Sequence, residues 1–337
     1  MHASARSRLE QALLNAWRQR GWLARALWPL SLLNRTLQAL RRALYGFGLL
    51  ESHRLPVPVI VVGNVVVGGA GKTPCTLAIA EHLRGQGWQP GIISRGHGRR
   101  TQDCREVRPG DDPLDAGDEP LLLRRRAGVP VFVARRRAEA GHALLNAYPA
   151  TDVLICDDGL QHLALARDVE VCVFDARGQG NGWLLPAGPL REHWPRPVDL
   201  VLHTEGGPAP GTLTAFNARR ALAAQAVRSD GSLVPLANLR GQPLAAAAGI
   251  ARPQAFFDML RAEGLTLAHV IALPDHDDFE RLPPLPSGEV TLVCTEKDAA
   301  KLWRHRPDAL AVPLTLHVPG GFFEALDTRL SSLTKTR

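Results

Sequence analysis

The sequence predicts an α/β protein: a parallel-sheet domain, a second and smaller α/β domain, and an N-terminal amphipathic helical segment. Three observations carry this. The apolar run 57–62, interrupted only by Pro58, reads as a buried parallel strand. It empties into a glycine-rich turn and then a helical stretch over about 76–84, closed by Gly85 and Gly87. From about residue 198 the alternation of strands and helices restarts with shorter strands. Upstream, Leu23, Leu27, Leu30, Leu33, Leu37, Leu40, Leu44 and Phe47 recur every three or four residues, which is one face of a helix. The expected division is 1–50 for the helical segment, 51–197 for the first domain and 198–337 for the second.

The turn after the first strand is the most informative stretch. Val66, Val67, Gly68, Gly69, Ala70, Gly71, Lys72 and Thr73 lie between strand and helix, the context of the phosphate-binding loop. The first domain is therefore predicted to be of the P-loop NTPase type. Glycines 68, 69 and 71 let backbone N–H groups crowd around phosphate oxygens, and the helix N-terminus adds partial positive charge. Lys72 is expected to reach the β/γ-phosphates, and the Thr73 hydroxyl to ligate Mg²⁺. One position departs from the strict pattern, which has glycine where this chain has Val66.

Composition bounds the alternatives. At 337 residues and 45% hydrophobic content the chain can bury two modest cores. Its five cysteines are scattered, with no C-x-x-C pair, which points to a reduced protein without a zinc site. The net charge of +7 is concentrated, because residues 1–54 hold nine arginines against only Glu10 and Glu51. No basic face interleaved with aromatics lies on the folded domains, so no nucleic acid is expected as a partner; separately, no obligate protein partner is predicted.

In the leucine-rich segment a bend or break is expected at Pro29. The charge-free run from Ala26 to Asn34 is nine residues, far short of the ~20 that span a bilayer. The segment fits an amphipathic helix packed on the protein's own core, or an interfacial helix with arginines toward anionic head groups. Its arginines and tryptophans favour a membrane surface.

Beyond the glycine loop, a strand at 91–94 ends in Arg95-Gly96-His97-Gly98. Asp118, in Gly117-Asp118-Glu119-Pro120, suits a helix N-cap and also a catalytic carboxylate. The triplet 124–126 suits a helix C-terminus, whereas 135–137 fit a solvated or a phosphate-facing edge. The strand 153–156 runs into Asp157-Asp158-Gly159, where the Mg²⁺ carboxylate of such a fold belongs. Another strand, 169–174, leads to a glycine- and proline-rich loop whose Arg191 is a candidate phosphate or transition-state contact. In the second unit, His276 sits in an acidic turn after a strand at 267–273, which suits a solvated histidine or a proton-handling one.

These residues, with Gln161-His162, Gly188-Pro189-Leu190-Arg191-Glu192 and Thr295-Glu296-Lys297-Asp298, resemble the tetraacyldisaccharide 4′-kinase family of Gram-negative bacteria over most of the chain. The resemblance implies ATP- and Mg²⁺-dependent phosphorylation of an acylated glucosamine disaccharide 1-phosphate at its 4′-hydroxyl. It implies two α/β domains with the active site between them, peripheral on the cytoplasmic face of the inner membrane. It also implies that Asp118 and His276 act as a pair that activates the hydroxyl, with Asp157 and Asp158 at the metal and Arg191 in the loop. His97 stands where the family usually has tyrosine, and Leu160 where an aromatic is common. The competing class is a membrane-associated nucleotide switch. Its deviant loops carry lysine where this chain has Val67, and no guanine-reading Asn-Lys-x-Asp is present.

Overall fold

The computed structural model describes residues 13, 15–205, 214–284 and 290–334. Part of the predicted segment 1–50, namely residues 1–12 and 14, lies outside them. The described chain opens with α1 (Trp22–Gly46), followed by β1 (Val59–Gly63), α2 (Lys72–Gly85), β2 (Pro90–Ser94) and β3 (Arg105–Glu106). Next come α3 (Pro113–Ala116), α4 (Asp118–Ala127), β4 (Val131–Val133), α5 (Arg137–Ala147), β5 (Val153–Asp157) and β6 (Val169–Phe174). Two more strands, β7 (Leu200–His203) and β8 (Ala215–Asn217), complete an eight-stranded sheet ordered β3-β4-β2-β5-β1-β6-β7-β8. All pairings in it are parallel except β3 with β4. The strand near 200, expected to open the second domain, thus extends the first sheet beside β6. Its apolar pattern marks a strand without saying which sheet it joins.

Because side chains alternate along a strand, each central strand serves two cores. Ile60 and Val62 face α2 and α4 with Ile79, Leu83 and Leu121. Val59 and Val61 face the other layer, with Leu144 of α5 and with Leu160, Leu184 and Trp194 of the loops. Five buried residues in a row in β1 and again in β5 are what a parallel strand covered on both sides requires.

The second sheet follows β9 (Arg219–Leu222) and has six strands in the order β11-β10-β15-β14-β12-β13. They are β10 (Gln225–Val227), β11 (Leu233–Pro235), β12 (Pro243–Ala248), β13 (Thr266–Ala272), β14 (Thr291–Thr295) and β15 (Leu310–Val312). Helix α6 (Pro253–Ala262) packs Phe256, Phe257 and Leu260 on one face, and α7 (Glu296–Leu302) packs Ala299 and Leu302 on the other. The chain then returns through β16 (Leu314–His317), antiparallel to β9, to α8 (Gly320–Thr334).

Helix α8 does not belong to the second core. Phe322, Leu326 and Leu330 are buried against the first sheet's α2 face, and Phe322 meets Phe216 edge-on at 5.7 Å. Phe322→Ala is accordingly expected to cost about 3–5 kcal/mol of stability, read from the shift in denaturant midpoint. A loss under about 1 kcal/mol would show that the terminal helix is dispensable to that core.

Helix α1 continues through Pro29, where a bend or break was expected, so the helix is not broken there. It grips the protein with polar residues. Ser31 Oγ donates to the Leu184 carbonyl (2.7 Å), Asn34 Nδ2 to that of Leu185 (2.9 Å) and Gln38 Nε2 to that of Arg191 (2.8 Å), while Arg42 pairs with Glu192. Leu30, Leu33, Leu37 and Leu40 remain more than half exposed, at 54–58%. Those four leucines are not packed on the protein's own core, whereas Leu23, Leu27 and Leu44 of the same face are half-buried. Among the described residues, no helix is long and apolar enough to cross a membrane.

Candidate active site

Strand β1 delivers the chain to the glycine loop at the carboxyl edge of the sheet, where open α/β folds bind ligands. The loop is braced from both sides by side chains. Buried Asn64 donates from Nδ2 to the carbonyls of Val66 (2.7 Å) and Gly68 (3.1 Å) and accepts from Lys72 Nζ at 3.3 Å. Arg177 donates to the carbonyls of Val67 (3.0 Å) and Gly69 (3.3 Å). With its carbonyls held this way, the loop keeps N–H groups available from Gly68 onward. Val67 N–H, by contrast, is taken by the Pro189 carbonyl (2.9 Å), and buried Val66 bridges Leu190. These two positions anchor the loop to the 184–191 segment, which accounts for valine in place of the pattern's glycine.

Gly71 sits at φ 90° as the N-cap of α2, and a β-carbon there would lie 2.8 Å from Arg220 Nη2. The left-handed backbone is what calls for glycine there, since the arginine tip could shift. The helix begins at Lys72 rather than near 76, since Pro74 falls in the first turn, where its missing N–H costs no hydrogen bond. Lys72 and Thr73 are consequently fixed in that first turn, and both are buried.

Asp157 ends β5 opposite Lys72. One of its oxygens accepts from Thr76 Oγ1 at 3.0 Å, while Oδ2 is buried without a hydrogen-bond partner. Burial, reinforced by Glu119 and Asp158, pushes its carboxyl up to about 7. Asp158 adopts a left-handed backbone (φ 49°) and turns elsewhere, meeting Arg191 Nη1 at 3.0 and 3.2 Å and Lys72 Nζ at 3.6 Å. Burial acts to raise its carboxyl too, but Lys72 and Arg191 outweigh that and hold it below the ordinary range. The two aspartates therefore occupy different electrostatic environments. Arg137 is resolved from its neighbours: it is buried and donates to the Asp158 carbonyl at 2.6 Å, whereas Arg135 and Arg136 are exposed.

The other half of the site is contributed by both units. Asp118 is the first residue of α4, not its N-cap, which is Gly117. Its Oδ2 meets His276 Nδ1 at 2.9 Å, and the imidazole belongs to the turn after β13, at φ 65°. Burial raises the Asp118 carboxyl, and the bonds and charges of His276 and Lys301 more than offset it. His97 stands edge-on to His276, ring centres 6.0 Å apart. Glu119, next to Asp118, is close enough to Asp157 to disfavour its charge, so this pair and the glycine loop address one region.

Sequence reasoning gave no role to the brace residues Asn64 and Arg177 or to the lysines of α7, of which Lys297 was read only within Thr295-Glu296-Lys297-Asp298. Lys301 Nζ lies 2.7 Å from Asp118 Oδ2, and Lys297 Nζ 3.5 Å from His276 Nε2. Their spacing of four on a short helix was the available signal. His162, read only as part of a motif, is half-buried among Arg137, Arg167, Arg41 and Arg95. Burial first, then those cations, lower its pKa to about 4.

A glycine loop with its lysine, a buried aspartate at the end of the neighbouring strand and a separate carboxylate–imidazole pair define a P-loop phosphotransferase. The comparisons narrow the class. The chain belongs to the tetraacyldisaccharide-1-P 4′-kinase (LpxK) family, whose model matches residues 23–331. It is 62% identical to the tetraacyldisaccharide 4′-kinase of Acidovorax sp. (strain JS42) over 330 residues, covering 98% of this chain and 97% of that one. With the same-named protein of Delftia acidovorans it shares 57% identity over 328 residues, covering 97% of each. A crystal structure of LpxK from Aquifex aeolicus in complex with ATP superposes with a TM-score of 0.78 at 27% identity, covering 91% of this chain and 99% of that one.

Proposed function

We propose that this chain transfers the γ-phosphoryl group of ATP to the 4′-hydroxyl of tetraacyldisaccharide 1-phosphate, giving lipid IVA in lipid A biosynthesis. The observation that carries the reading is the 2.9 Å contact between Asp118 and His276 beside a lysine-bearing phosphate loop. A sugar hydroxyl is a poor nucleophile near neutrality, and Asp118 held as a carboxylate is placed to accept its proton. His276 orients that carboxylate and shares the charge. Lys72, with the loop N–H groups from Gly68 to Thr73, neutralises the triphosphate, and Arg191 bears on the transferring group. A nucleotide-switch role is not favoured, since it leaves this pair without a task.

The residues present fit Mg²⁺. Asp157 Oδ2 is a buried oxygen without a partner, and Thr73 sits in the first turn of α2. Among the described residues no cluster of three or more His, Cys, Asp or Glu side chains could hold a metal unaided, which suits an ion completed by phosphate oxygens. Asp157 and Thr73 would hold it, with Asp158 nearby and engaged by Arg191. When bound, the ion supplies charge neutralisation on the β- and γ-phosphates.

The glycolipid reading draws on α1. Its exposed leucines run alongside the polar stripe that grips the Arg191-Glu192 segment, so an acyl-bearing substrate can lie in the membrane boundary with its sugar at the site. The arginines around His162 suit the anionic 1-phosphate. The exposed leucines of α1 support a peripheral position, which we read as the cytoplasmic face of the inner membrane. Combining Leu33→Glu, Leu37→Glu and Leu40→Glu is expected to lower partitioning onto phosphatidylglycerol-containing vesicles at least tenfold, given about 1.5–3 kcal/mol per buried leucine. Unchanged co-sedimentation would remove α1 as the anchor. The function itself is tested by incubating enzyme with γ-labelled ATP, Mg²⁺ and the acylated disaccharide 1-phosphate. Label is expected in the lipid fraction at the 4′ position, and a lipid fraction without label would overturn the assignment.

A further inference from the structure

We propose that Lys301 is a positioning residue for this reaction, clamping the Asp118–His276 pair across the boundary between the two units. The inference rests on the reading of Asp118 as the group that accepts the hydroxyl proton. Lys301 is 6% exposed and projects from α7 of the second unit. Its Nζ lies 2.7 Å from Asp118 Oδ2 and 3.1 Å from the His276 carbonyl. One ammonium therefore holds both members, the acid by its side chain and the histidine by its backbone.

The geometry selects an oxygen as well. His276 Nδ1 and Lys301 Nζ both fall on Oδ2 of Asp118. Among the described residues no hydrogen bond falls on Oδ1, which is left to take the proton from an acceptor hydroxyl. With two donors on one oxygen, the carboxylate cannot rotate without breaking both contacts.

Helix α7 is itself held rigidly. Thr295 caps it, accepting from Asp298 N–H at 3.2 Å, and the buried Asp298 carboxylate takes the Gly249 N–H (3.0 Å) and the Thr295 hydroxyl (2.6 Å). Arg126 of α4 reaches Glu296 at 2.7 Å, tying α7 to the helix that carries Asp118. On the far side of the imidazole, Lys297 Nζ stands 3.5 Å from Nε2, restrained by Asp275 (3.2 Å) and Glu119 (3.5 Å). Lys297 thus flanks the ring, and Lys301 is the cation that bonds the acid.

A lysine that merely neutralised a buried carboxylate would affect stability without choosing an oxygen. The two roles separate in a double-mutant cycle on the full-length enzyme, reading transfer from γ-labelled ATP to the acylated disaccharide 1-phosphate. Lys301→Met is expected to lower kcat about 10²-fold, the loss typical of a displaced reacting group, with the KM for ATP changed less than about threefold. Added to Asp118→Asn, it is expected to cost no more than about twofold further, since its effect passes through Asp118. Lys301→Gln, which keeps a donor without the charge, gives the same reading should the methionine variant melt below the assay temperature. Wild-type kcat in either variant, or losses that multiply with Asp118→Asn, would overturn the inference while the base assignment stands. Full activity of Asp118→Asn alone would instead overturn the reading beneath it.

Discussion

Asp118→Ala is expected to reduce lipid phosphorylation about 10²- to 10⁴-fold in kcat, the range a positioned general base supplies. ATP binding should be nearly unchanged, because Asp118 makes none of the contacts that shape the glycine loop. Its partners are His276 and Lys301, both from the second unit. The substitution also removes a buried carboxylate facing a buried ammonium, so some loss of stability accompanies it. Binding and melting are therefore to be measured on the same preparation. A variant that folds, binds ATP and turns over normally would remove Asp118 from the chemistry.

Lys72→Ala is expected to act on the nucleotide side. Lys72 Nζ is 3.3 Å from Asn64 Oδ1 and 3.6 Å from Asp158 Oδ1, fixed by two side chains at the mouth of the loop. A preorganised cation aimed at developing phosphoryl charge contributes about 10²–10³-fold. Removing it should lower kcat/KM for ATP by at least that factor, and it leaves the Asp158 carboxylate to Arg191, with Arg137 close by. The assay is a titration of ATP at saturating glycolipid. Normal kinetics would mean that the loop does not hold the triphosphate.

Much of this was legible in the residues. Strand β6 was read with its observed limits, and β2 and β5 to within a residue, because apolar runs ending in polar turns leave little choice of register. The glycine loop, Asp157, Asp158 and Arg191 lie together at the sheet's carboxyl edge, and Asp118 meets His276 across 158 positions of sequence. What stayed hidden was non-local. A run such as Leu200–His203 announces a strand but not its partner, so the division near 198 cut through the first sheet. The apolar character of α8 did not say that it returns to the first core. Periodicity in α1 marked a leucine face, whereas its direction was settled by Ser31, Asn34 and Gln38, whose hydrogen bonds to 184–191 no local pattern announces. Asn64 and Lys301 escaped for the same reason: each acts by bonding a residue far from it in the chain or a backbone group.

The account holds that a triphosphate in the loop and an activated sugar hydroxyl meet at one point, so neither half should turn over alone. The most direct measurement is the stoichiometry of ADP formed to phosphate transferred, with and without the acylated disaccharide 1-phosphate. The prediction is one ADP per lipid phosphate, and negligible ADP when the acceptor is omitted. ADP released at the same rate in its absence, with no phosphate on the lipid, would contradict it.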